Sequence, residues 1–428
     1  MNNKLRYLLI FVISLIFGFS VLIVRNYYEK KTGELKSHWN VTQLEEDAKN
    51  YFDRAIALSS GKHYYSGCEN APIVAFYRPP IYSIFLALTF AVFGVSLKAV
   101  IILQIIVTSL IVLLISIISK IVFNDIISLI SGIMAILYYP MWNNAMVVNS
   151  ELLSTFLGLL VLYFILKYYY SGYKAFKYLF LCGIFIGLAS LTRGQFFFYS
   201  ILLVIFIFKK SGNEFLKDAK LALIMLIFAL IPIFIWSLYA YLSTGVLIFV
   251  SSQGAYSIWW GWSPLVVFEQ KYPMWNPLWD VNFIKYDMIG LYLPVKSSIW
   301  FLSESVNFIM KYPLDSIKIS YFKLLDSWGF IYIYLDNSFA INLMKIFKFN
   351  WDFFLAIPGW ILLWKQKKYK IFLLYILYAS ILYTIISIMT AGLIRYRIPY
   401  LDPLFIILAS YTLYYLYTHF RSKKLKIQ

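Results

Sequence analysis

The sequence predicts an all-α polytopic membrane protein, and three observations predict it. Of 428 residues, 61% are hydrophobic and 14% charged, an apolar share well above that of a water-soluble domain. The mean hydropathy is +0.73. Apolar runs near the roughly 20 residues that a bilayer requires recur along the whole chain. The formal charge of +18 would suit a nucleic-acid binder if it were gathered on one domain, but lysine and arginine fall in short breaks between apolar runs. Nucleic acid is therefore not an expected partner. Cys68 and Cys182 offer neither a disulfide framework nor a metal-ligand spacing.

Apolar segments lie near 7–24, 98–119, 126–141, 151–168, 176–192, 194–209, 221–243, 351–364, 370–390 and 400–420, so about ten spans are expected. The first carries Lys4 and Arg6 ahead of its apolar run but no small-residue cleavage site, and reads as an uncleaved span. Basic breaks at Lys167, Lys174 and Lys177, at Lys209, Lys210, Lys217 and Lys220, at Lys365, Lys367, Lys368 and Lys370, and in the tail Arg421 to Lys426 mark one side of the membrane. By the positive-inside rule that side is cytoplasmic, with both termini. Residues 81–95 would reverse every later loop if they crossed. They are short, bounded by Pro79-Pro80 and Gly94, and expected to lie at the interface. Residues 25–97 and 244–350 are then two outer loops of a single domain spanning 1–428.

In the first of these loops, Thr42-x-x-Glu45 is a capping box that predicts a helix start. Leu44, Ala48, Tyr51, Phe52, Ala55 and Leu58 then recur at helical spacing as an apolar stripe suited to a membrane surface. At about 100° per residue, Asp47, Tyr51 and Arg54 share one sector, at the stripe's edge. On spacing alone Asp47 is equally an ordinary first-turn acid favoured by the helix dipole.

Read in order, Asp47-Ala48-x-x-Tyr51-x-x-x-Ala55-x-x-Leu58-x-x-Gly61 and Tyr77-Arg78-Pro79-Pro80-Ile81-Tyr82 are followed by Phe85-Leu86-Ala87 and Phe93-Gly94. Beyond them come Ser150-Glu151-Leu152, Leu191-Thr192-Arg193-Gly194, the run Ser251 to Pro264, and Arg395-Tyr396-Arg397-Ile398-Pro399 with Pro403. This series resembles the membrane glycosyltransferases of the protein O-mannosyltransferase and aminoarabinose transferase superfamily. The resemblance implies a GT-C-like bundle of about 10–13 transmembrane helices with interfacial helices in the first outer loop.

The same resemblance implies transfer of a sugar from a polyprenyl-phosphate donor to a lipid, glycan or protein acceptor outside the cytoplasm, with inversion. Asp47 is then the candidate general base for the acceptor hydroxyl, and Glu151 a second carboxylate. Arg78, Arg193, Arg395 and Arg397 are candidates for the donor phosphate, since a planar guanidinium matches two phosphate oxygens at once. Arginines at span ends also contact lipid headgroups, which is their ordinary reading. Tyr51, Tyr82, Tyr256 and Trp259 are candidate substrate contacts, whereas Trp260, Trp262, Trp275 and Trp279 read as an interfacial aromatic belt.

No cofactor is called for. His38 and His63 are isolated, and Ala48 stands where many members of the superfamily carry a second acid, so a divalent cation stays open. The sequon Asn40-Val41-Thr42 overlaps the capping box and reads as chance. Trp262-Ser263 replaces the superfamily's Asn-Asn pair, which points to a different sugar or acceptor. A polymerase or ligase of lipid-linked glycans is the alternative, with essential residues in 244–350. A transporter or flippase is disfavoured because charges are expected only at the margins of the spans.

Overall fold

A computed structural model describes residues 3–32, 46–70, 72–171, 175–208, 215–263, 266–267, 294–331 and 339–427. The predicted capping box, the sequon, His38, Lys174, Lys209, Lys210, Trp275 and Trp279 lie outside the described residues. Within them the chain is helical throughout and contains no strand. In chain order the helices are α1 (Asn3–Thr32), α2 (Glu46–Ser59), α3 (Pro72–Ala75), α4 (Ile81–Phe93), α5 (Leu97–Val122), α6 (Asp125–Leu137) and α7 (Tyr139–Ala145). They continue as α8 (Glu151–Tyr170), α9 (Phe176–Ser190), α10 (Phe196–Phe208), α11 (Phe215–Thr244), α12 (Gly254–Gly261), α13 (Pro294–Lys311) and α14 (Pro313–Ser327). The last are α15 (Phe339–Trp364), α16 (Lys370–Met389) and α17 (Asp402–Ile427).

Among the described residues six helices are long and apolar enough to cross a membrane, in α1, α5, α8, α11, α15 and α16, or seven if the bent pair α6–α7 forms one span. That pair is where the expected straight span 126–141 differs from the structure. The helix stops at Leu137, bends by 54° and restarts at Tyr139 with Pro140 in its first turn. Proline has no N–H to continue the ladder and its ring collides with the preceding turn, so the break follows from the sequence. Helix α9 has 15 residues and α10 has 13, each near two-thirds of the ~30 Å apolar thickness at about 1.5 Å per residue.

Helices α5 and α6 begin on side-chain caps. Ser96 accepts from the Ala99 amide, and Asn124 accepts from the amides of Ile126 and Ile127. Asp125 then pairs with Arg6 and Lys120, tying the start of α1 to the α5–α6 turn.

Close backbone approach holds other pairs. A Cβ on Gly183 or Gly187 of α9 would lie 2.5 or 2.4 Å from the carbonyls of Met225 or Ala229 in α11, so only glycine admits this spacing. Gly359 of α15 meets the Leu408 carbonyl of α17 in the same way. Residues 402–410 of α17 are all buried, so the first part of this helix runs through the core of the bundle. Outward leucines, isoleucines and phenylalanines such as Ile23, Phe234, Leu242 and Ile361 remain exposed, as a lipid-facing surface requires.

The predicted interfacial pair is present as α2 and α4. At 13 residues α4 spans about 20 Å, too short to cross, and ends at Gly94 with φ 72°. Tyr51 meets Tyr82 edge-on at 5.0 Å and Phe52 meets Phe90 at 5.1 Å, so the apolar stripe of α2 packs on α4. The amide of Ile81 donates to the Leu191 carbonyl, and that of Ser252 to Phe76, which seats this layer on the α9–α10 and α11–α12 turns.

Chain reversals therefore collect at two ends. One holds Arg6, Lys120, Lys167, Lys177, Lys367 and Lys368; the other holds Arg78, Glu151, Arg193 and Arg395.

Candidate functional site

Helix α8 starts at Ser150-Glu151 because residues 146–150 leave the α7 helix without continuing it, and this places a carboxylate in the first turn. Glu151 is buried, with a side chain 3% exposed. Its Oε1 lies 3.0 Å from Arg193 Nη1 and 3.7 Å from Arg395 Nε. Arg193 stands in the tight break after α9, where the chain turns within Leu191–Gln195 before α10 begins. Its guanidinium covers the Tyr396 ring at 4.5 Å and reaches Ser150 Oγ at 3.5 Å. Burial opposes the Arg193 charge, but Glu151 and the surrounding phenols outweigh it and raise its pKa above the ordinary value.

Tyr51 of α2 closes the site from the first loop. Its hydroxyl donates to Ser150 Oγ at 3.4 Å, and Arg78, Arg193 and Glu151 all act electrostatically on the phenol. Burial, partly offset by Arg78, raises the Tyr51 pKa, so the phenol keeps its proton and donates. Arg78 follows α3, donates to Gln253 Oε1 at 2.9 Å and stacks on Tyr77 at 5.1 Å. That bond joins the first loop to the start of α12. Tyr82 lies one layer below, its hydroxyl donating to Gln104, whose amide nitrogen in turn donates to the carbonyls of Ala145 and Val147.

Of the sequence-predicted residues, Arg78, Glu151, Arg193, Arg395 and Tyr51 thus come together at one end of the bundle. Asp47 lies in the first turn of α2, one turn before Tyr51, and its side chain is outside the described residues. Tyr256 and Trp259 belong to an adjoining aromatic layer. Tyr256 meets Tyr77 at 5.9 Å and Trp259 packs against Phe301 at 5.3 Å. Among the described residues no group of His, Cys, Asp and Glu could hold a metal ion.

Arg397 requires a correction. It is fully buried, and its donors go to Asp402, Asn350 and the carbonyls of Trp328 and Phe349, with Asp352 at 3.9 Å. Four of its five N–H groups are engaged in the core, and the residue is fully buried, so the guanidinium is not presented to a phosphate. The expectation that charge stays at span margins fails at the same place. Asp352 is buried within α15, and neither of its oxygens accepts a hydrogen bond among the described residues, while Asp402 is buried at the first residue of α17.

Sequence reasoning gave no role to Ser150, Gln253 and Tyr396, which stand within its motifs, and passed over Gln104 and Lys323. Lys323 of α14 is buried, donates to the Ile388 carbonyl at 2.8 Å and lies 4.1 Å from the Trp262 ring centroid. Burial pushes its pKa well below the usual lysine value. The available signal was a polar residue at an otherwise apolar helical position, as at Gln104 and Asp352.

Comparison with known proteins gives a family match over part of the chain and a fold match over nearly all of it. Residues 77–238, which contain Arg78, Glu151 and Arg193, match the family model described as dolichyl-phosphate-mannose-protein mannosyltransferase. In structure the chain is similar to the oligosaccharyltransferase AglB of Archaeoglobus fulgidus in complex with an inhibitory peptide and a dolichol-phosphate, with TM-score 0.57 and 13% identity over 99% of this chain and 52% of that one. The apo form of that enzyme gives TM-score 0.56 at 13% identity and the same coverage. The chain therefore spans about half the length of these relatives. ArnT from Cupriavidus metallidurans, bound to undecaprenyl phosphate, matches with TM-score 0.44 and 13% identity over 96% of this chain and 78% of that one. No curated protein is significantly similar in sequence.

Proposed function

We propose that the protein moves a sugar from a polyprenyl-phosphate donor to a lipid, glycan or protein acceptor at the extracytoplasmic face, with inversion. The observation that carries this reading is the meeting of Arg193 and Arg395 on one buried carboxylate, Glu151, beside the Tyr51 phenol, on which Arg78 also acts. Guanidinium groups from three separate parts of the chain thus converge on one region. A phosphate meeting such a site, partly shielded from water, is bound more strongly than in bulk solvent.

In this reading Asp47 takes the proton of the acceptor hydroxyl, whose oxygen attacks the anomeric carbon opposite the phosphate. The bond from that carbon to the phosphate oxygen breaks, its electron pair stays with the phosphate, and Arg78, Arg193 and Arg395 stabilise the charge that accumulates. Attack from the opposite face inverts the anomeric configuration. Glu151 holds Arg193 and Arg395 in place for this task. Tyr256 and Trp259 are assigned to flank the sugar or acceptor, beside Arg78 through Tyr77. Both termini and the lysine-rich turns are assigned to the cytoplasm, with residues 25–97 and 244–350 outside, in one domain.

The test is Asp47→Asn, with Asp47→Glu as companion, assayed in membranes for consumption of polyprenyl-phosphate sugar at matched protein levels. Loss of the base is expected to slow transfer by about 10² to 10⁴. Undiminished turnover in Asp47→Asn removes Asp47 from that role. Essential positions confined to residues 244–350 would instead favour a glycan polymerase or ligase.

A further inference from the structure

The Arg397 guanidinium lies apart from the Glu151 cluster, yet it joins parts of the chain far separated in sequence. Through Trp328, Phe349, Asn350 and Asp402 it ties the end of α14, the body of α15 and the start of α17 to one another. The Tyr138 hydroxyl donates to the other oxygen of Asp402, which adds the α6–α7 bend to the same knot. Residues Ile394–Arg397 form a single turn of 3₁₀-helix. With about three residues per turn, successive side chains leave that turn about 120° apart. Arg395 accordingly reaches Glu151, Tyr396 lies under Arg193, and Arg397 enters the core.

We infer that Arg397, with Asp402 and Asn350, is a positioning residue that fixes this turn so that Arg395 meets Glu151 and Tyr396 meets Arg193. Only a planar fork can serve the separate acceptors around it; a lysine ammonium at the same place reaches fewer of them. The consequence for donor binding rests on the function proposed above, whereas the placement of the turn does not.

Two measurements test this on the full-length protein, with Arg397→Lys and the milder Asn350→Ala, which removes one acceptor and leaves the Arg397–Asp402 pair. The first is the rate at which a short bismaleimide joins Glu151→Cys to Arg395→Cys in a Cys68→Ser, Cys182→Ala background. Those substitutions delete the Glu151–Arg395 attraction, so Arg397 is left to hold the distance. Cross-linking is expected to slow by roughly tenfold or more in Arg397→Lys, and by a smaller factor in Asn350→Ala. If Arg397→Lys does not accumulate as folded protein, Asn350→Ala decides alone. Unchanged rates in the folded variants overturn the inference.

The second measurement is the affinity for undecaprenyl phosphate in detergent for Asn350→Ala, Arg395→Ala and the double variant. Positioning through the turn requires the two losses to be less than additive, the double variant binding more tightly than the summed single losses predict. Additive losses, as from general loosening of the fold, overturn it. Should the unaltered protein fail to bind undecaprenyl phosphate, the proposed donor site is wrong, and cross-linking still decides the role of Arg397.

Discussion

At the scale of single residues, the proposed chemistry rests on a buried ion pair, Glu151 with Arg193, whose worth is in placement more than stability. Removing one partner of such a pair strands the other charge and costs about 3–5 kcal/mol, while the intact pair contributes little net stability. Arg193→Lys keeps the charge but loses the fork and the stacking on Tyr396. It is expected to weaken undecaprenyl phosphate binding by about tenfold with little change in melting temperature. Equal affinity, measured by a thermal shift titration, would contradict that assignment.

Lys323 offers an independent check. Its folded pKa is lowered, so the unfolded chain binds more protons and stability rises with pH through the interval between the two values. Acidification through the folded value therefore destabilises the protein. Lys323→Met keeps the stem over Trp262 and removes the titration, so the variant is expected to lose this pH dependence and to unfold within about 1 kcal/mol of the parent. A loss above about 3 kcal/mol would show that the Ile388 hydrogen bond dominates. Arg78, Glu151, Arg193 and Arg395 were legible as members of short motifs. Asp352, Asn350 and the true place of Arg397 were not, because burial and pairing over 40 to 70 positions of sequence leave no local trace.

At the scale of elements, hydrophobic run length gave the helices, and the residues that interrupt the runs gave their ends. Pro140 was the readable cause of the α6–α7 bend, yet the apolar run continues past it, so run length alone suggested one straight span. The stripe Ala48, Tyr51, Phe52 and Ala55 made α2 legible, but it is buried against α4, not laid on the membrane surface that its spacing suggested. Helix contacts were less so. Gly183 and Gly187 lie four apart, a spacing that brings two small residues to one face. Only the structure shows that α11 uses it. Gly187→Leu must push the Ala229 carbonyl away, and is expected to cost about 1–3 kcal/mol and to lower folded yield in detergent. The same substitution at Gly254, where a Cβ meets open space, is expected to be near neutral, within about 0.5 kcal/mol. Similar losses at both positions, read by thermal unfolding, would refute close packing as the cause.

At the scale of the whole molecule, charge distinguishes the two ends: lysines gather in the short turns of one, and Arg193 and Arg395 meet Glu151 at the other. The proposed topology puts the lysine-rich end at the cytoplasmic surface. With α4 too short to cross, Lys98 falls on the same side as Arg78. Reporter fusions after Lys98 and after residue 250 are expected to read as extracytoplasmic, and fusions after residue 171 and at the C-terminus as cytoplasmic. A cytoplasmic reading at Lys98 would invert the site. The measurement that tests the central claim most directly is mass spectrometry of lipid-linked sugars and envelope glycans from the natural host with and without the active protein, using Asp47→Asn as the inactive form. The account predicts that one sugar disappears from a glycan, glycolipid or glycoprotein while its polyprenyl-phosphate form accumulates. Identical profiles in both strains would contradict it.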